Sequence, residues 1–96
     1  MEKKRLVRYL NSVGKECFTN YFEMFSSSIP NQEIAEKIQD ENGYTEKACR
    51  SRTGHARMII REGGAEEALR LIVESKKVKN EVIRKAETHL KKYKYN

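Results

Sequence analysis

Helix breakers are scarce in this sequence, which has one proline and five glycines among its 96 residues. Long stretches therefore run without a residue that would interrupt a helix. No apolar run approaches the ~20 residues that a membrane-spanning helix needs, and no apolar signal core follows the basic residues at the start of the chain. These scarcities favour a helical protein of the cytoplasm, with no membrane association.

Cysteine and histidine are also rare, with two of each. Cys17 and Cys49 lie in apolar helical patterns, where the thiols of a cytosolic protein are usually reduced core residues. His55 lies beside a basic helix face and His89 within an apolar stripe, and neither has a second ligand at a metal-binding spacing. The chain also has no glycine-rich phosphate loop. We therefore expect no enzymatic activity, cofactor, metal or small-molecule ligand.

Apolar residues recur at helical spacing along almost the whole chain, and no segment alternates with period two for long enough to form a strand. We predict an all-α fold, a small bundle of about five helices that forms a single domain over residues 1–96. Gly14 either divides an N-terminal helix in two or weakens one helix, and two further helices are predicted at about 65–75 and 78–93. The densest aromatic cluster is predicted to be core: Cys17, Phe18, Tyr21, Phe22 and Phe25.

Turn and cap residues delimit two helices in the middle of the chain. Pro30 suits the entry to a helix, and Asn31 is predicted to be its N-cap. Gly43 supplies a left-handed stop, and Thr45 is the predicted N-cap of the next helix, which runs to about Glu62. The first of these helices carries an apolar stripe of Ile34, Ala35 and Ile38.

The helix from Thr45 divides into two faces at 100° per residue. The apolar face consists of Ala48, Cys49, Thr53, Ala56, Ile59 and Ile60. The opposite face collects Lys47, Arg50, Ser51, Gly54, Arg57, Met58 and Arg61. Arginine donates paired hydrogen bonds to a guanine edge or a phosphate, and glycine permits close approach of the backbone. This face therefore suits a DNA major groove, although a solvated cationic face is the alternative interpretation.

The segment from Ile34 to Cys49 resembles the helix-turn-helix family of DNA-binding domains, with the core of the motif at about 31–62. Two features depart from the family pattern. Residues 39–42 are extra and lengthen the supporting helix by about one turn. Arg52 occupies a position that is apolar in the family, and it is expected to reach the surface or to pair with Glu36 or Asp40. The matching residues are Ile34, Ala35 and Ile38 on the supporting helix, Gly43, Tyr44 and Thr45 in the turn, and Cys49 on the recognition helix.

The resemblance implies DNA-binding roles for particular residues. The groove-facing positions of the recognition helix are Thr45, Lys47, Arg50, Ser51 and Gly54. Asn31 and Gln32 would hold a phosphate at the start of the supporting helix, and Arg57 and Arg61 would contact backbone phosphates. Cations near the two ends of the chain would add non-specific attraction to DNA: Lys3, Lys4, Arg5, Lys91, Lys92 and Lys94.

The formal net charge of +6 is unevenly distributed. Residues 1–15 have five basic side chains against one acidic, residues 45–62 have five against two, and residues 76–96 have eight against two. Acidic residues outnumber basic ones in the segments between. This segregation indicates a polyanionic partner, although basic termini also serve solubility.

The sequence therefore predicts a duplex-DNA-binding protein, either a small transcriptional regulator or a DNA-recognition module. The alternative is a helical protein-interaction module, a small inhibitor or adaptor whose basic faces bind an acidic protein. RNA binding is less favoured because the aromatic residues are predicted to be buried. The helix at 78–93 either forms a homodimer that reads a two-fold DNA site or closes the core of its own chain.

Overall fold

A computed structural model of the chain describes residues 1–95 and the side chains of residues 1–93. The N-terminal segment forms three helices. These are α1 (Lys3–Val13), α2 (Lys15–Asn20) and α3 (Phe22–Phe25). Gly14 separates α1 from α2 with a φ of +90°, a backbone conformation that glycine adopts readily and other residues rarely. This glycine therefore divides the segment, and the described residues contain seven helices where about five were predicted.

The other four helices lie close to their predicted positions. They are α4 (Asn31–Asn42), α5 (Glu46–Arg61), α6 (Ala65–Val73) and α7 (Asn80–Tyr95). The described residues include no strand, and 77% of the protein is helical. The prediction of a small all-α bundle is confirmed. No helix in this part of the chain is long and apolar enough to cross a membrane.

Helix α5 packs against both α1 and α4. Its buried face holds Cys49, Thr53, Ala56 and Ile59, as the apolar pattern predicted. The predicted aromatic cluster is also buried, with Phe18 fully inaccessible to solvent. Burial of an aliphatic or aromatic side chain of this size contributes about 1.5–3 kcal/mol, so this core fixes the position of α5 relative to its neighbours.

The cysteines and histidines have packing roles. Cys17 and Cys49 are both buried and free, and burial raises the pKa of both thiols. The ring of His89 packs against Phe22 with centroids 5.1 Å apart, and its Nε2 lies 3.0 Å from the Thr19 carbonyl oxygen. These placements agree with the prediction that the cysteines are core residues, and they place His89 against the core, in keeping with its position in an apolar stripe.

The apolar stripe of α7 packs inside its own chain. α7 lies against α6 and α2, Val82 and Ala86 are buried, and Val78 and Leu90 are partly buried against the same core. Most of the stripe therefore packs in the core of its own chain, which is one of its two predicted uses, while Tyr93 near the end of α7 is 43% exposed.

A phenol joins the α2–α3 junction to the end of α4. The Tyr21 hydroxyl donates to Glu41 Oε1 and accepts a 2.9 Å hydrogen bond from Asn42 Nδ2. Burial, followed by the bond to Glu41, raises the pKa of Tyr21 to about 12. An unfolded chain would lose this proton near pH 10, so the free energy of unfolding should fall between about pH 10 and 12.

We expect Tyr21→Phe to reduce the free energy of unfolding at neutral pH by about 0.5–1.5 kcal/mol for each of the two hydrogen bonds removed, those with Glu41 and Asn42. We also expect the variant to lose less stability than the wild-type chain between about pH 10 and 12, since it lacks the phenol whose pKa is raised. Urea unfolding over this range measures both effects. Tyr44→Phe is the control and should retain the full alkaline loss. An equal loss in Tyr21→Phe would contradict the prediction.

Candidate nucleic-acid interface

Three residues, Gly43, Tyr44 and Thr45, connect α4 to α5. Gly43 has a φ of +72°, and its amide donates a 2.8 Å bond to the Gln39 carbonyl. Thr45 Oγ1 accepts a 3.1 Å bond from the Ala48 amide. The predicted stop and the predicted N-cap are thus both confirmed, because each satisfies a backbone group that a helix end leaves without a partner.

Helix α4, the predicted supporting helix, continues without interruption to Asn42. Residues 39–42, which are extra relative to the pattern of the resembling family, form its last helical turn, and Ile34, Ala35 and Ile38 are buried. The face that α4 turns toward α5 is accordingly kept in register, as predicted for a longer supporting helix.

Arg52 was predicted either to reach the surface or to pair with Glu36 or Asp40; it is half-buried, and the pairing does not occur. Arg52 Nη1 donates a 2.6 Å hydrogen bond to the Val13 carbonyl at the end of α1. Its guanidinium carbon lies 4.1 Å from the centroid of the Tyr44 ring. The carbonyls at a helix C-terminus lack helical partners, and α1 packs directly against α5. Arg52 therefore fixes the α4–α5 turn to the end of α1.

Asn31 is not the N-cap of α4. Pro30 occupies the N-cap position, and Asn31 is the first helical residue. No described side chain forms a capping hydrogen bond at the N-terminus of α4. Asn31 Oδ1 instead accepts a 2.6 Å hydrogen bond from Arg57 Nη1. The proline sets the backbone angle for helix entry, which leaves the asparagine side chain available to another helix.

Arg57 is bonded to the segment before α4. Its guanidinium donates to three backbone carbonyls, those of Phe25 at 3.3 Å, Met24 at 3.1 Å and Ser27 at 3.0 Å. With the bond to Asn31, one side chain of α5 holds the end of α3 and the start of α4. The predicted phosphate contact of Arg57 would compete with these four bonds.

The exposed face of α5 forms what we call the α5 ridge: Lys47, Arg50, Ser51, Gly54 and Arg61, all exposed. Arg50 pairs with Glu46 one turn earlier, and its side chain is 69% exposed. Exposed pairs of this kind contribute little, so the guanidinium can exchange this partner for another anion. Among the described side chains, no carboxylate lies within 4.0 Å of Lys47 or Arg61.

Gly54 lies in the middle of the ridge, and its lack of a side chain has no explanation in the fold. Its backbone is helical, and a Cβ added there would meet no described atom within 4 Å. Glycine in a helix interior costs about 0.5–1 kcal/mol relative to alanine. Gly54 thus lowers the stability of α5, and it is the one residue of the ridge without a side chain.

Two elements flank the ridge. On one side, Asn31 and Gln32 in the first turn of α4 line a shallow depression together with Arg50. On the other side, Ser51 Oγ lies 3.3 Å from His55 Nδ1, and the His55 ring packs on Tyr9 of α1 with centroids 4.8 Å apart. Of the predicted set, Lys47, Arg50, Ser51, Gly54 and Arg61 are therefore brought together on one exposed face of α5. Thr45 is exposed but precedes the helix as its N-cap and is not part of this face.

The predicted terminal cations lie in two places. Lys3, Lys4 and Arg5 form the first turn of α1, where Arg5 Nη1 is bonded to Glu62 at 3.1 Å. Lys91 and Lys92 lie near the end of α7, and Lys92 Nζ is 3.8 Å from Glu23. Lys94 lies outside the side chains that the structure describes.

The apolar pattern gave no sign that α1 borders the ridge. The available signal was the composition of residues 3–13, which include four cations and no carboxylate.

No family model matches the chain, and no curated protein or solved structure gives a significant match. Within residues 1–93, no group of three or more histidine, cysteine or acidic side chains could hold a metal ion.

Proposed function

We propose that this protein binds duplex DNA with the α5 ridge in the major groove. The observation that carries the proposal is the ridge itself, a helix face of cations and small residues with open space in front of Gly54. An α-helix fits the ~12 Å width of the major groove. A glycine at the centre of the face lets the helix backbone approach the base edges.

The flanking elements support a specific docking geometry. The first residues of α5 face outward and are the candidates for base contacts, with Arg50 able to form a paired hydrogen bond with guanine. Gln32 lies beside Arg50 at the start of α4 and is a candidate for phosphate contact. Arg61, one helix turn past Arg57, is placed for a backbone contact further along the groove. Regulation of transcription and a homodimer through α7 remain predictions that depend on this proposal.

A second candidate function is binding of an acidic protein. It is favoured by a groove between α3 and α7 whose apolar lining includes Phe22, Ile60 and Tyr93. Lys92 and Glu23 also line the groove, with Nζ and Oε1 3.8 Å apart. Tyr93 is 43% exposed there. An amphipathic segment of another protein, with a carboxylate that replaces Glu23 as the partner of Lys92, would fit this groove better than DNA would.

Titration against a random DNA duplex at two salt concentrations separates these candidates. A helix held by roughly four phosphate contacts should bind with a log–log salt slope near −3.6. No binding at ~50 mM salt would refute the DNA proposal, because non-specific attraction is strongest at low ionic strength.

The position of the interface is tested by Arg50→Ala, for which the chain offers a matched control. Arg70 forms the same exposed pair on α6, with Glu66 one turn earlier at 3.0 Å. Both alanine variants should lose similarly little stability. We expect only Arg50→Ala to weaken DNA binding, by about 1–3 kcal/mol and with relaxed sequence preference. Equal DNA affinity in the two variants would show that the ridge is not the interface.

A further inference from the structure

Helix α1 carries cations that its own folding does not favour. Residues 3–13 contain Lys3, Lys4, Arg5 and Arg8 and no acidic residue. Three of these cations lie in the first turn, where the positive end of the helix dipole disfavours them. Residues that oppose the local helix preference, without a compensating gain in the fold, are typical of functional surfaces.

The structure places one edge of α1 beside the α5 ridge. Tyr9 packs on His55 of α5 with ring centroids 4.8 Å apart, and the guanidinium carbons of Arg5 and Arg8 lie 5.2 Å and 5.9 Å from the centre of the Tyr9 ring. Ser51 of the ridge contacts His55 in turn. The Tyr9–His55 pair is thus a bridge from the ridge to the cations of α1.

Three of these cations are exposed without a carboxylate partner among the described side chains, and one of the three, Lys3, lines a depression next to α6 instead. Arg5 is engaged by Glu62 and by the Tyr9 hydroxyl. Lys4 and Arg8 are exposed, and no described carboxylate lies within 4.0 Å of either. The side of the ridge next to α1 therefore carries positive charge without local compensation.

We propose that Lys4 and Arg8 contact the phosphodiester backbone of the DNA strand across the major groove from α4. The ridge lies between α4 on one side and α1 on the other, and a helix in the major groove has a phosphate backbone on each side. This inference rests on the proposed function. It assigns α1 the positioning of the duplex, without reading of sequence.

Arg8→Gln in the full chain tests the inference, because glutamine keeps a polar side chain and a similar helix propensity while removing the charge. Loss of one phosphate contact should make the salt slope shallower by about 0.9 and should weaken binding equally for different duplex sequences. Arg84→Gln is the matched control: Arg84 is an exposed arginine of α7 in the groove facing α2. It should leave the slope unchanged.

The outcomes distinguish this inference from the proposed function. If the wild-type chain fails to bind duplex DNA, the proposed function fails. If the wild-type chain binds and Arg50→Ala weakens binding, but Arg8→Gln keeps the wild-type slope, the proposed function stands and the role of α1 is overturned. Equal changes in Arg8→Gln and Arg84→Gln would also overturn it, because they would reflect net charge rather than a contact. Circular dichroism confirms that each variant is folded.

Discussion

A Gly54→Leu variant is expected to fold at least as stably as the wild-type chain and to lose nearly all affinity for duplex DNA. Leucine is a good helix former, and replacing an interior glycine should add about 0.5–1 kcal/mol of stability. The new side chain has room, because a Cβ at this position meets no described atom within 4 Å. On the proposed ridge, however, it would project toward the base edges and hold the helix away from them.

The expected loss of affinity is large because every proposed DNA contact of the ridge requires the α5 backbone to lie close to the base edges. Loss of two base contacts, from Arg50 and Lys47, at about 1–3 kcal/mol each corresponds to a loss of roughly 30-fold or more. Urea unfolding and DNA titration of the same preparations measure the two effects. Gly54→Ala provides a graded comparison, with a similar gain in stability and a smaller loss of affinity. If Gly54→Leu bound DNA with the affinity of the wild type, Gly54 would not lie in the interface.

Local chemistry explains why much of the central segment could be predicted from sequence. The stop at Gly43 and the cap at Thr45 depend on backbone angles and hydrogen bonds within a few residues, and the structure confirms both. The two faces of α5 follow from periodicity alone, which correctly identified Cys49, Thr53 and Ala56 as buried.

The arginines show where such prediction ends. Periodicity correctly placed Arg57 on the polar side of α5, but it cannot show which distant segment supplies an acceptor. The acceptors of Arg57 lie 26–33 residues earlier in the chain, and the acceptor of Arg52 lies 39 residues earlier. Most of these acceptors are backbone carbonyls, which leave no mark in the composition. A long flexible side chain can therefore leave its predicted face for a partner that only the tertiary fold brings near.

Arg57→Ala tests whether the four hydrogen bonds of Arg57 stabilise the fold. We expect the variant to lower the free energy of unfolding by about 2–4 kcal/mol. Hydrogen bonds from a charged donor contribute about 1.5–3 kcal/mol each, but solvent replaces part of this in the four bonds of Arg57 because Asn31 and Ser27 are exposed. Arg57→Lys should be intermediate, since an ammonium group lacks the planar fork that reaches several acceptors at once. Asn31→Ala removes one acceptor and should cost the least.

Arg61, one turn later on the same helix, is the matched control for this prediction. It is exposed and, among the described side chains, donates no hydrogen bond within the chain, so Arg61→Ala should change the free energy of unfolding by less than about 0.5 kcal/mol. Urea unfolding of the four variants beside the wild type gives the comparison. If Arg57→Ala were no less stable than Arg61→Ala, the bonds from Arg57 to the end of α3 and the start of α4 would contribute nothing, and its guanidinium would be as free for phosphate as that of Arg61.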